Sequence, residues 1–328
     1  MDNLLCKFDQ ATDLELDQNL PKFSTLYKNN DKLIKKQQQR RNEILSNRLS
    51  KRDKLIASIR RLVSDVASDD EQSTVSSANV SANRPNPIDT TKTEDDSGDS
   101  ALEATSTGAL MDNVIKGKTG NQIEDRKFRN KAMLSEWLVD RPMDFESDWV
   151  LKATPVGRRC LVFARKGETV AYSRTGQFIK AFQSALPGGC HMHISHCRRQ
   201  FAIVDCIYIQ HTNTFYLMDA LAWNEHKLYE SEASFRFFWL QSRYNENQDK
   251  FLTMSSKNES QFYCLNTYSA SDRDILTALN NDPLIKEHNL QLDGLLFFHI
   301  RGPYVPGANP LVLWIKPEMV NRVLNLSE

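Results

Sequence analysis

The sequence has no long hydrophobic run and lacks the patterns that are typical of membrane and secreted proteins. No apolar stretch approaches the roughly 20 residues that a membrane-spanning helix needs. Residues 1–10 lack the basic start and apolar run that are typical of a signal peptide. The six cysteines, at positions 6, 160, 190, 197, 206 and 264, form no secreted-type disulfide pattern. We therefore expect a reduced intracellular compartment and no membrane association.

The chain of 328 residues has no net charge, because 42 basic residues balance 42 acidic ones, but the charges are segregated. Lys22–Arg61 is densely basic, whereas Asp69–Asp99 is acidic and rich in Ser, Thr and Asn. This asymmetry predicts a basic arm for a partner, followed by a solvated linker. We expect an arm with a helix at 1–66, a disordered linker at 67–125 and a folded domain at 126–328.

Within the arm, Asp31–Val66 contains no Gly or Pro and has a thin apolar stripe at helical spacing. The stripe consists of Leu45, Leu49, Ile56, Ile59 and Val63. Such a helix is marginal alone in water, so we expect it to order fully only against a partner.

The folded domain alternates strand-like runs with Gly and Pro turns, which predicts an α+β domain with mixed or antiparallel sheets and flanking helices. Strands are predicted at Trp149–Leu151, Arg159–Ala164, Thr169–Tyr172, Phe201–Ile209, Thr214–Leu221, Phe235–Leu240, Leu295–Ile300 and Pro310–Ile315. Helices are predicted at Arg129–Val139, at Ser271–Asn280 with Ser271 as its N-cap, and from Pro317.

Two tryptophan blocks and a basic pair suggest a binding site. Met133–Leu138 contains Trp137, Leu311–Pro317 contains Trp314, and Arg158 and Arg159 lie between the two blocks. An indole face attracts a delocalised cation by about 0.5–2 kcal/mol, and guanidinium groups bind phosphate oxygens. The combination favours a pocket for a methylated purine and its phosphates.

The alternative for Trp137 is a core residue at a helix–sheet contact. Trp149, Trp223 and Trp239 lie in apolar surroundings and are predicted to belong to the core.

Cys and His residues cluster after Gly189, at Cys190, His191, His193, His196 and Cys197. Their spacings match no familiar zinc finger. We therefore expect no metal site here, and no cofactor elsewhere.

The chain resembles the snurportins, the nuclear import adaptors for spliceosomal small nuclear ribonucleoproteins, across roughly Lys131–Val320. The resemblance rests on the blocks Leu134–Leu138, Pro155–Arg159, Leu186–Gly189, Asp205–Tyr208, Phe235–Phe237 with Trp239, Asp293–Phe297, and Pro310–Val312 with Trp314.

This resemblance implies a site for the 2,2,7-trimethylguanosine cap of U-type small nuclear RNAs. Trp314 would stack on the base, Trp137 would help to wall the pocket, and Arg158 and Arg159 would meet the phosphates. The implied cap-binding set is Leu134, Ser135, Trp137, Thr154, Arg158, Arg159, Cys160, Arg174 and Trp314. Two members depart from the family pattern: Arg174 replaces a lysine and Thr154 replaces a cysteine.

In snurportins, the basic N-terminal segment resembles the importin-β-binding region of importin-α. The corresponding residues here are Lys22, Lys28, Lys36, Arg40, Arg41, Arg48, Arg52, Arg60 and Arg61. The resemblance implies importin-β or another importin-family receptor as partner, an exportin for recycling, and shuttling between cytoplasm and nucleus. Two alternatives remain for the helix: non-specific contact with RNA phosphates, or packing back onto the folded domain.

The snurportin domain resembles the nucleotidyltransferase fold of RNA capping enzymes and ligases, which use the lysine of a Lys-x-Asp-Gly motif as nucleophile. Arg174-Thr175-Gly176 occupies that region here, and an arginine cannot shed its proton to attack a phosphate. We therefore predict a binding adaptor without catalysis. The alternatives are a cryptic nucleotidyltransferase, a general cap or single-stranded RNA binder without trimethyl selectivity, and an interaction protein with a decayed pocket.

Overall fold

The computed structural model describes residues 30–46, 52–68, 128–191, 200–224 and 226–326. In these ranges the chain forms two β-sheets with helices packed against them. No helix among the described residues is long and apolar enough to cross a bilayer.

The first sheet, sheet A, carries one wall of the site described below. Its strands are β1 (Met133–Trp137), β2 (Trp149–Pro155), β9 (Tyr268–Ser269), β10 (Leu292–His299) and β11 (Gly307–Ile315). They lie in the order β1-β11-β10-β2-β9, with β1 and β11 parallel and the other pairs antiparallel.

The second sheet, sheet B, carries the opposite wall. Its strands are β3 (Arg158–Arg165), β4 (Glu168–Ser173), β5 (Phe178–Phe182), β6 (Phe201–Ile209), β7 (Thr214–Trp223) and β8 (Gln261–Cys264). They lie in the order β5-β4-β3-β6-β7-β8, antiparallel except for the β7–β8 pair.

The helices are α1 (Asn30–Ser46), α2 (Arg52–Ser68), α3 (Phe145–Asp148), α4 (Ala233–Glu246), α5 (Gln248–Leu252), α6 (Asp272–Asn280), α7 (Pro283–Glu287) and α8 (Val320–Leu324). Short 3₁₀ turns lie at Leu228–Glu230 and Pro317–Met319.

Three apolar clusters hold these layers together. The largest lies between the two sheets and contains Phe163 and Ile203 of sheet B with Leu296 and Val312 of sheet A. A second cluster lies between the other face of sheet B and α4 and α5. The third lies between the other face of sheet A and α3, α6 and α8. The α+β prediction with mixed sheets and flanking helices is therefore confirmed.

Most predicted strands are present, and the structure lengthens several of them; β6 has the predicted bounds. The helix with Ser271 as N-cap is confirmed, because the Ser271 hydroxyl accepts a hydrogen bond from the Asp274 amide at 3.3 Å. The C-terminal helix is confirmed as the 3₁₀ turn from Pro317 and α8.

Two predicted elements are wrong. The helix predicted over Arg129–Val139 contains strand β1, because β11 offers this segment a parallel pairing edge. The strand predicted over Phe235–Leu240 is part of α4, whose buried residues Arg236, Phe237, Leu240 and Tyr244 follow a helical repeat.

The basic arm packs onto the domain, as one of the two alternatives for it anticipated. Ile56, Ile59, Leu62, Val63 and Val66 of α2 are all buried in the cluster between the sheets. The Arg60 guanidinium of α2 also pairs with Glu230 at 3.0 Å. The apolar stripe of α2 therefore has the domain itself as its partner.

Helix α1 contacts the edge of sheet A. The Gln37 side-chain amide donates to the Glu136 carboxylate at 2.8 Å and to the Trp137 carbonyl at 3.2 Å, and Arg40 pairs with Glu136 at 2.6 Å. The side chain of Arg41 is buried, 5.7 Å from the centre of the Trp149 ring. The arm is thus held at strand β1, which also borders the candidate site.

Candidate functional site

The site begins where the chain passes from one sheet to the other. Strand β2 of sheet A ends at Pro155, and β3 of sheet B starts at Arg158. Only Val156 and Gly157 separate them, so Thr154 and Arg159 border the same opening from different sheets. A Cβ atom at position 157 would lie 2.6 Å from Cγ2 of Ile207, which explains why this tight crossing contains glycine.

Trp314 is positioned by the absence of a side chain on the neighbouring strand. A Cβ atom on Gly294 of β10 would lie 2.6 Å from Nε1 and 2.9 Å from Cε2 of the Trp314 indole. Glycine therefore allows the indole to lie directly on the β10 backbone. Trp314 is paired with Leu296 across β10 and β11 and stays half-buried, with part of its ring open to the site.

Trp137 lies beside Trp314, because the parallel pairing of β1 with β11 places the two residues opposite each other. Their ring centres are 4.7 Å apart and the ring planes are inclined by 65°. This edge-to-face geometry is favourable for aromatic pairs. The Trp137 side chain is 47% exposed, so the alternative of an ordinary core residue is wrong.

A cavity of about 580 Å³ opens between the two sheets at this point. Its basic lining residues are Arg158, Arg159 and Arg174, and its hydroxyl residues are Ser135, Thr154, Ser173 and Thr175. Its apolar lining comes from Ile207, Met218, Leu296 and Trp314, with Pro155, Gly157, Gln177 and Asp293 completing the set. Six of the predicted cap-binding residues therefore line one cavity: Trp314, Ser135, Thr154, Arg158, Arg159 and Arg174.

Arg159 is fixed by a buried carboxylate. Its Nε and Nη2 atoms donate to the two oxygens of Asp205 at 3.0 and 2.7 Å. The Tyr304 hydroxyl donates to Asp205 at 2.7 Å and accepts from the Met133 amide at 3.1 Å. This network joins β3 and β6 of sheet B to β1 of sheet A.

Burial disfavours the charged form of Arg159, but the attraction and hydrogen bonds of Asp205 outweigh burial and raise the pKa of the guanidinium. Burial, followed by the Asp205 charge, also raises the pKa of Tyr304 well above its usual range. Arg159 is therefore a permanent, oriented cation at the cavity, although its charge is largely balanced by Asp205.

The other two arginines are exposed and more weakly held. Arg158 donates to the Gln177 side chain at 3.4 Å. Arg174 lies in the β4–β5 turn, which is closed by a bond between the Ser173 and Thr175 hydroxyls at 2.9 Å. Their positive charges are thus available to an anionic ligand.

Thr154 has its hydroxyl occupied, because it donates to the Gly294 carbonyl at 2.8 Å. This bond joins β2 to the glycine that supports Trp314. Thr154 therefore both lines the cavity and helps to hold the indole platform in place.

Three predicted site residues lie outside the cavity lining: Leu134, Cys160 and Trp137. Trp137 was predicted to wall the pocket, but it contacts the ring of Trp314 and does not itself line the cavity. Cys160 is 1% exposed and packs in the cluster on the other face of sheet B, because side chains alternate along β3 and Arg159 occupies the cavity face. Burial raises the pKa of its thiol. Leu134 packs against the cluster between the sheets.

Sequence reasoning missed the apolar lining of Ile207, Met218 and Leu296, as well as Gln177. Their positions depend on the pairing of β3, β6 and β7 and on the approach of the two sheets, which no local motif specifies. Asp293 entered the sequence analysis only as part of the block Asp293–Phe297 that carries the family resemblance.

No lysine lines the cavity in the part of the chain that the structure describes. Lys152, on β2, is buried, and its Nζ donates to the Leu265 carbonyl at 3.0 Å and to the Thr267 hydroxyl at 2.8 Å. Burial lowers the pKa of this amine, but the two bonds hold it away from the cavity lining.

Three side chains that could act as metal ligands lie close together at Asp144, Asp148 and His299. Their ligand atoms are within 4.8 Å of one another. The His299 Nδ1 atom accepts from the Arg301 amide at 3.2 Å, which places the proton of the neutral ring on Nε2. Burial lowers the pKa of His299, so the ring is neutral. Arg301 lies 3.3 Å from Asp148, and the charge of Asp144 acts on the nearby Arg41, so both carboxylates already have cationic neighbours.

For the Cys and His cluster, Cys190 is buried and the His191 ring bonds to the Gln183 side chain at 2.7 Å. His193, His196 and Cys197 lie outside the described residues.

The predicted receptor-binding residues are distributed over both helices. Arg40 and Arg60 form ion pairs with the domain, Arg41 is buried, and Lys36 and Arg61 are exposed. Lys22, Lys28 and Arg48 lie outside the described residues, as does the side chain of Arg52.

An indole platform beside fixed and exposed guanidinium groups is suited to a ligand with a flat ring and phosphates, as in a nucleotide-binding domain. The family model for "Snurportin1, m3G cap-binding domain" matches residues 131–317. The chain belongs to this family. The match covers β1 to β11 and therefore includes every residue that lines the cavity.

Solved structures of DNA ligases also match. The ligase domain from M. tuberculosis LigD has 13% identity and a TM-score of 0.38, covering 58% of this chain and 60% of that chain. A mycobacterial DNA ligase D complexed with ATP and MES has 14% identity and a TM-score of 0.39, with the same coverage. Chlorella virus DNA ligase-adenylate has 12% identity and a TM-score of 0.36, covering 57% of this chain and 68% of that one. The match thus spans about 60% of the first two ligase chains.

Replacing Tyr304 with phenylalanine should lower the free energy of unfolding by about 1–3 kcal/mol, because Asp205 loses a donor and the buried Met133 amide loses its acceptor. Urea unfolding followed by tryptophan fluorescence measures this change. Tyr263→Phe is the matched control, since the Tyr263 hydroxyl has no hydrogen bond among the described residues; its change should stay within about 0.5 kcal/mol. Equal effects of the two substitutions would contradict the structural role of the network.

Proposed function

We propose that the cavity between the sheets binds the 2,2,7-trimethylguanosine cap of U-type small nuclear RNAs. One observation carries this proposal: the Trp314 indole, seated on Gly294, shares a cavity with Arg158, Arg159 and Arg174. The methylated base carries a delocalised positive charge, so stacking on the indole gains cation–π attraction. The arginines then meet the negatively charged phosphates. Membership of the cap-binding family supports the same assignment.

The selectivity for three methyl groups comes from shape and from the apolar lining. Two methyl groups on N2 remove both hydrogen-bond donors of that nitrogen and add apolar surface. Ile207, Met218 and Leu296 provide apolar contacts at the cavity. Such a wall favours the dimethylated nitrogen over an amino group that would lose its hydrogen bonds to water.

Titration of the purified chain with trimethylguanosine and 7-methylguanosine cap dinucleotides, followed by tryptophan fluorescence, tests this function. We expect stronger quenching and tighter binding for the trimethyl cap. Trp314→Ala should weaken binding at least about fivefold, because base stacking contributes about 1–3 kcal/mol. Trp239→Ala, on α4, is the control and should bind normally. Equal affinity for the two caps would contradict trimethyl selectivity, and the absence of quenching would contradict a cap site.

The proposed function includes no bond-making step. Covalent nucleotidyl transfer needs an amine that can attack a phosphate. The cavity is lined by arginines and hydroxyl residues, and no described lysine reaches its lining. Arginine stays protonated at any working pH. The chain therefore acts by tethering its ligand.

Incubation of the chain with radiolabelled GTP or ATP and magnesium should leave no label attached after denaturing electrophoresis. A DNA ligase incubated with ATP under the same conditions is the positive control. Label on the chain itself would show a cryptic nucleotidyltransferase and would overturn the proposal of a pure adaptor.

The basic arm adds an import role to the cap site. In this proposal α1 and α2 engage importin-β or another importin-family receptor, so that capped cargo enters the nucleus, and an exportin returns the chain to the cytoplasm. The cationic surface of the arm supports this assignment. Because Arg40 and Arg60 already pair with Glu136 and Glu230, the receptor has to compete with the domain for the same guanidinium groups.

This competition predicts the effect of Glu136→Gln in the full chain. The substitution removes the ion pair with Arg40, so importin-β should bind up to about fivefold tighter, because an exposed pair contributes about 0.2–1 kcal/mol. Glu146→Gln is the control, because Glu146 pairs with Arg141 of the domain. Binding measured by surface plasmon resonance distinguishes them. No binding by any of the three proteins would contradict importin-β as the receptor.

A further inference from the structure

Asp293 is the one acidic residue that lines the cavity in the described part of the chain. It lies on β10 at a bulge: Leu292 pairs with Pro155 and Gly294 with Thr154, so Asp293 has no opposite residue on β2. Its side chain is exposed and forms no hydrogen bond or ion pair with another described residue. The bulge thus presents a free carboxylate to the opening.

The position of this carboxylate relative to the indole follows from the chain. Gly294, the next residue, is the one whose missing Cβ would fall 2.6 Å from the Trp314 Nε1 atom. Asp293 precedes this glycine at the bulge and lines the same cavity as the Trp314 indole. The arginines at 158, 159 and 174 come from the opposite sheet, sheet B, and from its β4–β5 turn.

A free carboxylate in this place works against phosphate binding, because like charges repel. It becomes favourable if the group beside it is positive. A guanine methylated at N7 is positive, whereas an unmethylated guanine is neutral. We propose, on the basis of the cap-binding function above, that Asp293 is a specificity residue that recognises the positive charge of the N7-methylated base on Trp314.

This role divides the discrimination between two parts of the cavity. The methyl groups on N2 change the shape and the hydrogen-bond donors of the base but leave its charge as it is. Asp293 therefore separates N7-methylated from unmethylated guanine, and the apolar wall of Ile207, Met218 and Leu296 separates trimethylated from monomethylated guanine. A competing role for Asp293 is to hold a magnesium ion that bridges to the phosphates.

The two roles differ in which ligands respond to the loss of the charge. If Asp293 contacts a cationic base, Asp293→Asn weakens N7-methylated ligands alone. The neutral unmethylated cap keeps its affinity or gains slightly, because a negative charge near its phosphates is gone. If Asp293 holds magnesium, the substitution weakens every capped dinucleotide alike, and chelation of magnesium abolishes the difference.

The experiment titrates wild-type chain, Asp293→Asn and Asp293→Glu with trimethylguanosine cap dinucleotide and with unmethylated GpppG, each in magnesium and in EDTA. We expect Asp293→Asn to weaken the trimethyl cap about two- to fivefold in both buffers without weakening GpppG. Asp293→Glu keeps the charge and should restore part of the preference. Asp249→Asn, at an exposed aspartate of α5, is the matched control. An unchanged urea midpoint shows that each variant is folded.

An unchanged preference for the methylated cap in Asp293→Asn would overturn the inference and leave the cap-binding function intact. An equal loss for both ligands that disappears in EDTA would also overturn it, in favour of a metal role. Failure of the wild-type chain to bind the trimethyl cap would instead refute the cap-binding function, and the inference with it.

Discussion

The geometry of the site depends on the buried carboxylate of Asp205. It accepts two hydrogen bonds from Arg159 on β3 and one from Tyr304, whose hydroxyl in turn accepts from the β1 amide of Met133. Apart from the short chain crossing at Val156 and Gly157, the two sheets are held together here by apolar packing, which has no preferred direction. The hydrogen bonds fix the distance between the strand that carries the arginines and the strand that carries Ser135 and Trp137. These hydrogen-bond donors also offset the cost of burying the charge of Asp205.

Much of the fold could be predicted from sequence where the local pattern and the tertiary context agree. The bounds of β6 follow from an apolar run that only Asp205 interrupts, and α6 follows from its Ser271 cap. Where they disagree, the context decides. The Leu134, Trp137 and Leu138 spacing suits a helix, but β11 offers a pairing edge and the segment becomes a strand. The aromatic run after Ser234 suits a strand, but Arg236 needs Asp219 and is buried on a helix, where its Nη2 lies 2.9 Å from that carboxylate.

The candidate site was predictable only in part, for a similar reason. Trp314 and the neighbouring arginines stand out by residue type, and the structure brings them to one cavity. Cys160 is excluded by the two-residue period of β3, since Arg159 already occupies the cavity face. The bulge at Asp293 and the contact of Gly294 with the indole depend on the exact register of β10 against β2 and β11, which the sequence leaves open.

If α1 binds the proposed receptor and the cavity binds the proposed cap, the attachment of α1 to β1 links the two binding events. Glu136, which holds Gln37 and Arg40, stands between Ser135 at the cavity and Trp137 at the indole pair. A receptor that displaced α1 would remove the contacts of Gln37 and Arg40 with Glu136, and so would change the surroundings of the strand that borders the cavity. Linkage is reciprocal for binding free energies. Whatever factor such a receptor imposed on the affinity for the cap, the cap would therefore impose the same factor on the affinity for the receptor.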